Sequence, residues 1–253
     1  MLDTVRNRVS YRISNYRDKI AFHWDLWRFC KNKKINMKKW GGEHKRDYIP
    51  KIIHYCWFGR GKYSSLIEQC MASWQRFLPA YEFVLWNEDN FPIEQYPFAA
   101  EAYEKKKYAF VSDVARLHAL YEHGGIYLDT DIEVLKSFDS FLQHGAFSGF
   151  ETYGDPTSPL QSGVMGAKSR HPWIALLLSW YEGKHFDGYA TYVPNTRIIT
   201  KITKCCYPVQ LTGEQLVVNG DVHLYPAVYF CPGAHVSEQS CCIHHFVGSW
   251  IKS

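Results

Sequence analysis

The alternation of apolar and polar positions changes character near residue 47. Before it, Val5, Val9, Ile13, Tyr16 and Ile20 recur at helical spacing, flanked by Arg6, Arg8, Arg12, Arg17 and Lys19. Phe22, Trp24, Trp27 and Phe29 follow, then a lysine-rich stretch from Lys31 to Lys39. This pattern predicts a basic, aromatic, helical arm over residues 1–47. From residue 48 short apolar runs alternate with amphipathic stretches. Strands are expected at 51–57, 82–86, 126–128, 132–135, 146–150 and 163–167, and helices at 64–77, 96–106, 112–123 and 172–182. After Glu182 the pattern weakens and predicts only strands at 217–224 and 242–247. Strands alternating with helices predict an α/β fold over 48–253. Its sheet is mostly parallel and flanked by helices, with ligands at the carboxyl ends of the strands.

The segment from Ser112 to Asp131 concentrates the candidate chemistry. Ser112 is a good N-cap, and Asp113 suits the positive end of a helix dipole. Val114, Leu117, Leu120 and Tyr121 give the helix a core stripe, with Arg116 and His118 off it. Gly124 and Gly125 stop the helix. Ile126-Tyr127-Leu128 then forms a short strand ending in Asp129-Thr130-Asp131. Two carboxylates at a strand terminus make a hard-oxygen site for Mn²⁺ or Mg²⁺. A solvated turn would carry the same Asp-x-Asp. Helix, glycine stop, apolar strand and acidic end together are the more specific signature.

A chain of 253 residues makes one large domain, or one domain with an arm. Aromatic content of 17% exceeds what a core of this size needs, and flat rings serve sugars and nucleobases as well as cores. Residues 1–51 hold 14 Lys/Arg against 5 Asp/Glu, a net of +9. The remainder holds 15 against 20, a net of −5, which together give the overall +4. A basic amphipathic arm with Trp and Phe suits an anionic membrane surface, and equally a helical hairpin packed on the domain. Its basic residues follow no nucleic-acid motif, so no nucleic-acid partner is expected. No run approaches membrane-spanning length. Eight cysteines without a Cys-x-x-Cys, and no secretory leader, predict reduced thiols in a cytosolic protein. The alternative is a zinc site from Cys205, Cys206, Cys231, Cys241, Cys242 and His244. Adjacent cysteines on a strand point apart, which is poor chelating geometry.

Ser112-Asp113-x-x-Arg116 followed by Gly124-Gly125-Ile126-Tyr127-Leu128-Asp129-x-Asp131 resembles the donor-site core of family 32 glycosyltransferases. Ile49-Pro50-Lys51-Ile52-Ile53-His54-Tyr55-Cys56-Trp57-Phe58-Gly59 resembles that family's first strand and following loop, and the likeness returns at His244-His245-Phe246-Val247-Gly248-Ser249-Trp250. The resemblance implies a GT-A-type, Rossmann-like nucleotide-sugar fold, a metal-dependent donor site and retention of anomeric configuration. It makes Asp131 a direct metal ligand and gives Asp129 the ribose and the metal. His245, from His-x-x-Gly, becomes the third ligand. Ser249 and Trp250 reach the metal or the β-phosphate. Asp113 holds sugar hydroxyls, Arg116 the sugar or a phosphate oxygen, and Tyr127 and Ser112 join the donor pocket. Trp57, at the carboxyl end of the first strand, offers a stacking face to a nucleobase or fills a structural place. Gln161, in Gln161-Ser162-Gly163-Val164-Met165, stands where related enzymes line the donor sugar with Asn. Glu214-Gln215 resembles an acidic-Gln pair at the reacting carbon, although Thr212-Gly213-Glu214 replaces the family's Thr-Gly-Pro. The implied catalytic set is Asp113, Arg116, Asp129, Gln161 and Glu214.

The expected activity is transfer of a hexose from a UDP- or GDP-sugar to a glycan or polyprenyl-linked saccharide. The expected setting is bacterial capsule or lipopolysaccharide synthesis, in the cytoplasm or at the inner face of the membrane. Same-face attack is the expected route, with double displacement through Glu214, Glu151 or Asp155 as its rival. A metal-dependent nucleotide-sugar hydrolase and a non-catalytic carbohydrate-binding protein are the competing classes.

Overall fold

The computed structural model describes residues 16–36, 47–151, 159–186, 193–207 and 209–247, with the side chains of its first helix described from 22 to 32. Nine strands are present among them: β1 Ile52–Cys56, β2 Glu82–Trp86, β3 Gly125–Leu128, β4 Ile132–Val134, β5 Ala146–Gly149, β6 Val164–Ala167, β7 Leu216–Val218, β8 Val222–Tyr225 and β9 Cys242–His244. Seven form one sheet in the order β2-β1-β3-β6-β5-β8-β7, and β4 pairs with β9 in a separate ribbon. The β1–β2, β1–β3 and β5–β8 pairs are parallel, while β6 opposes both β3 and β5, and β7 opposes β8. Five of the seven strands therefore run the same way. The fold is mixed α/β with a mostly parallel central sheet flanked by helices.

The helices are α1 Tyr16–Asn36, α2 Ser65–Phe77, α3 Pro97–Glu104, α4 Tyr108–His123, α5 Pro172–Leu178, α6 Asn195–Cys206 and α7 Ala227–Phe230. Residues on β3 alternate between two cores. Ile126 and Leu128 pack with Ile53, Trp74 and Val164 on one face; Tyr127 joins Cys56, Trp86 and the helices α1, α3, α4, α5 and α6 on the other. Because β3 is buried on both faces, it reads as a continuous apolar run. Gly124 and Gly125 at its start have φ of +67° and +112°. A Cβ on Gly125 would lie 2.7 Å from the Ile52 carbonyl oxygen, so a larger residue would push β3 off β1.

His54 ties these strands to the helix end. Its Nε2 lies 2.8 Å from the Gly124 carbonyl oxygen, and the Trp86 indole N–H donates to its Nδ1 at 3.1 Å. The two partners fix the neutral tautomer with the proton on Nε2. Burial lowers its pKa from 6.5 to about 4.

Three expectations change. The helix expected at 112–123 begins at Tyr108, so Ser112 is no cap: its hydroxyl donates to the Tyr108 carbonyl one turn back, at 3.1 Å. The strand expected at 217–224 is two strands folded about Asn219 and Gly220, both at positive φ. Helix α6 was not expected at all. Of the arm, residues 1–15 and 37–46 lie outside the described residues, and with them the stripe Val5, Val9 and Ile13. Within α1, Phe22, Leu26 and Cys30 are buried in the main core. The eight cysteines are free thiols.

Candidate active site

Strand β3 delivers Asp129 and Asp131 at its carboxyl end, beside β6. The Asp129 N–H donates to the Gly163 carbonyl at 2.8 Å, and the Ile132 N–H returns to the Asp129 carbonyl at 3.0 Å, closing a tight turn around Thr130. The chain then enters β4, where the buried Trp74 indole donates to the Ile132 carbonyl at 2.6 Å. Strand β9 seals the turn from the other side. The Val247 N–H donates to Asp131 Oδ2 at 2.8 Å and the His245 N–H to the Asp131 carbonyl at 3.1 Å.

The imidazole brought to the aspartates is that of His244, not His245. Antiparallel pairing sets His244 opposite Ile132. It places His244 Nε2 3.3 Å from Asp131 Oδ1. Its neighbour faces the opposite side of the ribbon, and His245 Nε2 bonds Glu133 at 2.9 Å. Ligand atoms of Asp129, Asp131 and His244 all lie within 4.8 Å of one another. The His244 ring stacks on Phe246 at 3.9 Å, and its Nδ1 is buried without a hydrogen-bond partner. A Cβ on Gly163 would come within 3.0 Å of Asp129 Oδ2 and 3.1 Å of His244 Cε1, so the missing side chain leaves the cluster its room. Two carboxylates and one imidazole, with an unsatisfied ring nitrogen, fit a divalent cation such as Mn²⁺. Burial disfavours charge on both Asp131 and His244, yet each stabilises the other. The aspartate stays below its ordinary range and the imidazole is held well above its own.

Arg116 organises the wall behind this cluster. Although the sequence puts it off the apolar stripe, it is buried. Its guanidinium donates to the Ser162 carbonyl at 2.8 Å and the Ser112 carbonyl at 3.3 Å, pairs with Asp113 at 3.0 Å and Asp129 at 3.2 Å, and lies over the Tyr127 ring at 4.6 Å. Burial raises Asp113 to about 6, against the pull of Arg116. Tyr127 is only 1% exposed, and its hydroxyl donates to Asp129 Oδ1 at 2.8 Å. It orients that carboxylate from beneath instead of touching a donor.

The other expected residues divide. Trp57 sits half-buried just past β1, its indole donating to the Gly61 carbonyl at 2.7 Å and its ring 4.7 Å from that of Tyr63. Gln161 is 1% exposed, and its amide is engaged with both the N–H and the carbonyl of Val164, at 2.8 and 2.7 Å. It clamps the entry to β6 and presents nothing to a ligand. Glu214 is exposed in the loop ahead of edge strand β7, and no contact joins it to the cluster among the described residues. Ser249 and Trp250 lie outside the described residues. Glu151, one of the rival nucleophiles, sits just beyond β5, where its carboxyl feels His244 and Asp129 and is pushed by burial up to about 8. Gly163 and the Ser162 carbonyl were missed. A glycine before a buried strand was the signal available for the first, and a backbone acceptor leaves none.

The family described as a glycosyltransferase sugar-binding region containing a DXD motif matches residues 64–148, which include Asp113, Arg116, Asp129 and Asp131. That stretch of the chain is similar to the family's sugar-binding region. Inositol phosphoceramide mannosyltransferase 3 of Schizosaccharomyces pombe is 32% identical over 135 residues, covering 50% of this chain and 35% of that protein. An uncharacterized glycosyltransferase of Acanthamoeba polyphaga mimivirus is 32% identical over 130 residues, covering 49% and 52%. The chain thus spans about a third to a half of the length of the curated relatives it matches. Among solved structures, the PaToxG glycosyltransferase aligns at a TM-score of 0.49 with 17% identity, covering 75% of this chain and 80% of that one. A glycosyltransferase involved in glycosylation of the major capsid of PBCV-1 aligns at 0.47 with 13% identity, covering 80% and 98%.

Proposed function

We propose that this glycosyltransferase-family protein is a metal-dependent, retaining transferase of the GT-A type. It moves a hexose from a UDP- or GDP-sugar to a lipid-linked or glycan hydroxyl. The observation that carries the reading is the Asp129–Asp131–His244 cluster at the carboxyl end of β3, whose two aspartates fall within the stretch matched to the DXD family. These three residues would hold the cation. When bound, it supplies a Lewis acid that neutralises the diphosphate leaving group. Arg116 fixes Asp113 and Asp129 against the Ser162 carbonyl and brings a buried positive charge to the same wall. Tyr127 holds Asp129 in its ligand orientation. Trp57, with Tyr63 beside it, offers a ring at the carboxyl end of β1 for a nucleobase.

Relatives named inositol phosphoceramide mannosyltransferases favour mannose as the hexose and a phosphosphingolipid as the acceptor. The bacterial surface-polysaccharide setting expected from the sequence draws no support from them. A cytoplasmic membrane face remains the proposed location. The test is a thermal-shift panel of UDP- and GDP-sugars with and without Mn²⁺, followed by product analysis with a lipid acceptor. A metal-dependent shift with one nucleotide, lost in Asp131→Ala, together with an α-linked product from an α-donor, is expected. Sugar released at the same rate without acceptor would replace transfer by hydrolysis.

Same-face attack stands as the route. Among the rival nucleophiles, Glu151 is beside the cluster, Glu214 is exposed ahead of β7, and Asp155 lies outside the described residues. Glu151→Gln should keep turnover within about tenfold, an ordinary loss for a group outside the bond-making step. A trapped glycosyl-enzyme would overturn the same-face route.

A further inference from the structure

We propose that the outward face of α1 is a seat for an anionic lipid surface. The helix is locked in rotation by its inner face. Phe22, Leu26 and Cys30 are buried, and the Trp180 ring meets Phe22 at 5.9 Å and Phe29 at 5.4 Å, both edge-on. Lys184 pairs with Asp25 at 3.1 Å and lies 4.1 Å over Trp180, fastening the same side. With that face satisfied, Trp24, Trp27, Arg28 and Lys31 fall at i, i+3, i+4 and i+7 and form one exposed stripe. The two indoles are 56% and 52% exposed and contact each other edge-on at 5.5 Å; the Lys31 ammonium sits 5.0 Å over Trp27.

Neither tryptophan contributes to the core, so their exposure is not a by-product of folding. Paired indoles flanked by cations match the headgroup layer of a membrane, where a ring lies at the apolar boundary and ammonium or guanidinium groups meet phosphates. The charge distribution fits the same occupant. Helix α1 holds six Lys/Arg against two Asp/Glu, a net of +4, and residues 52–253 carry −5, so an anionic surface attracts the α1 side and repels the remainder. This inference does not depend on the transferase reading.

The experiment is co-sedimentation of the full chain with phosphatidylcholine vesicles and with vesicles containing about 30% phosphatidylserine, a composition within the range of anionic leaflets. Binding to the anionic vesicles that weakens with salt is expected. Trp24→Ser/Trp27→Ser should lower the partition coefficient by at least about tenfold. Arg28→Gln/Lys31→Gln should lower it about fivefold for each charge removed. Brominated lipid should quench fluorescence in the wild type and not in the tryptophan variant. Thermal midpoints of both variants should match the wild type, since the stripe is exposed. Three results would overturn the proposal: equal binding by wild type and tryptophan variant, binding independent of anionic lipid, or a Trp24/Trp27-dependent dimer or glycan complex without vesicle binding.

Discussion

Acid should weaken this fold through His54, and the size of the effect follows from its two hydrogen bonds. The ring is neutral because Nε2–H is committed to the Gly124 carbonyl and Nδ1 accepts from Trp86; a second proton on Nδ1 would set two donors against each other in a buried site. The unfolded chain takes up that proton as pH falls through 6.5, whereas the folded one waits until about 4. The unfolded state therefore binds more protons in between. Stability is full above the unfolded value and is lost as pH falls toward the folded value. The full loss is about 3 kcal/mol at 1.36 kcal/mol per unit, of which about 2 kcal/mol has gone by pH 5. The assay compares urea or thermal unfolding of wild type and His54→Gln at pH 7.5 and pH 5. Gln does not titrate, and the remaining groups cancel in the difference. The stability gap between the two proteins should close by about 2 kcal/mol at the lower pH, or about 4–8 °C in midpoint for a chain of this size. A gap that stays constant with pH would refute the reasoning.

Three further outcomes are expected. His244→Ala should weaken Mn²⁺ binding by about 10–100-fold, the scale of a disturbed metal shell, while His245→Ala changes it less than about twofold; isothermal titration separates them. Gly163→Ala should also weaken Mn²⁺ about tenfold while leaving the unfolding midpoint nearly unchanged, because its Cβ would press on Asp129 and His244 and on nothing else within 3.3 Å. Trp74→Phe keeps the ring but strands the Ile132 carbonyl, and should cost about 1–3 kcal/mol in denaturant unfolding.

Much of the site was legible because local signals agreed with the fold. Gly124-Gly125 between an apolar stripe and an apolar strand can hardly be read as anything but a stop and a restart, and the strand's acidic end follows directly. What escaped was set by distant partners. Arg116 looks polar in any periodicity count, yet an ion network buries it, and apolar spacing cannot see a charge that finds its partners inside. Alternation showed that His244 and His245 face opposite ways, but which one meets the aspartates depends on the register of β9 on β4. Gln161 occupied the expected position, but its amide is engaged with the Val164 backbone. Helix α6 was hidden by its many β-branched residues, and the Asn219-Gly220 turn was a hairpin signal passed over inside an apolar run.

The β4–β9 ribbon gives the site a temporal order as well as a shape. The Val247 N–H that grips Asp131 stands 116 positions further along the chain. The two aspartates are set by a helix, a glycine stop and a strand that are neighbours in sequence, so they can be in place while the segment bearing His244 is still undocked. Closing so long a loop is slow and brings only a three-residue ladder as its immediate return. This is where the native protein should breathe, exchanging the amides of β9 before those of β3. A cation held by Asp129, Asp131 and His244 would then act as a clasp on that late-arriving strand, so ligand occupancy and the closure of the β4–β9 ribbon become one equilibrium.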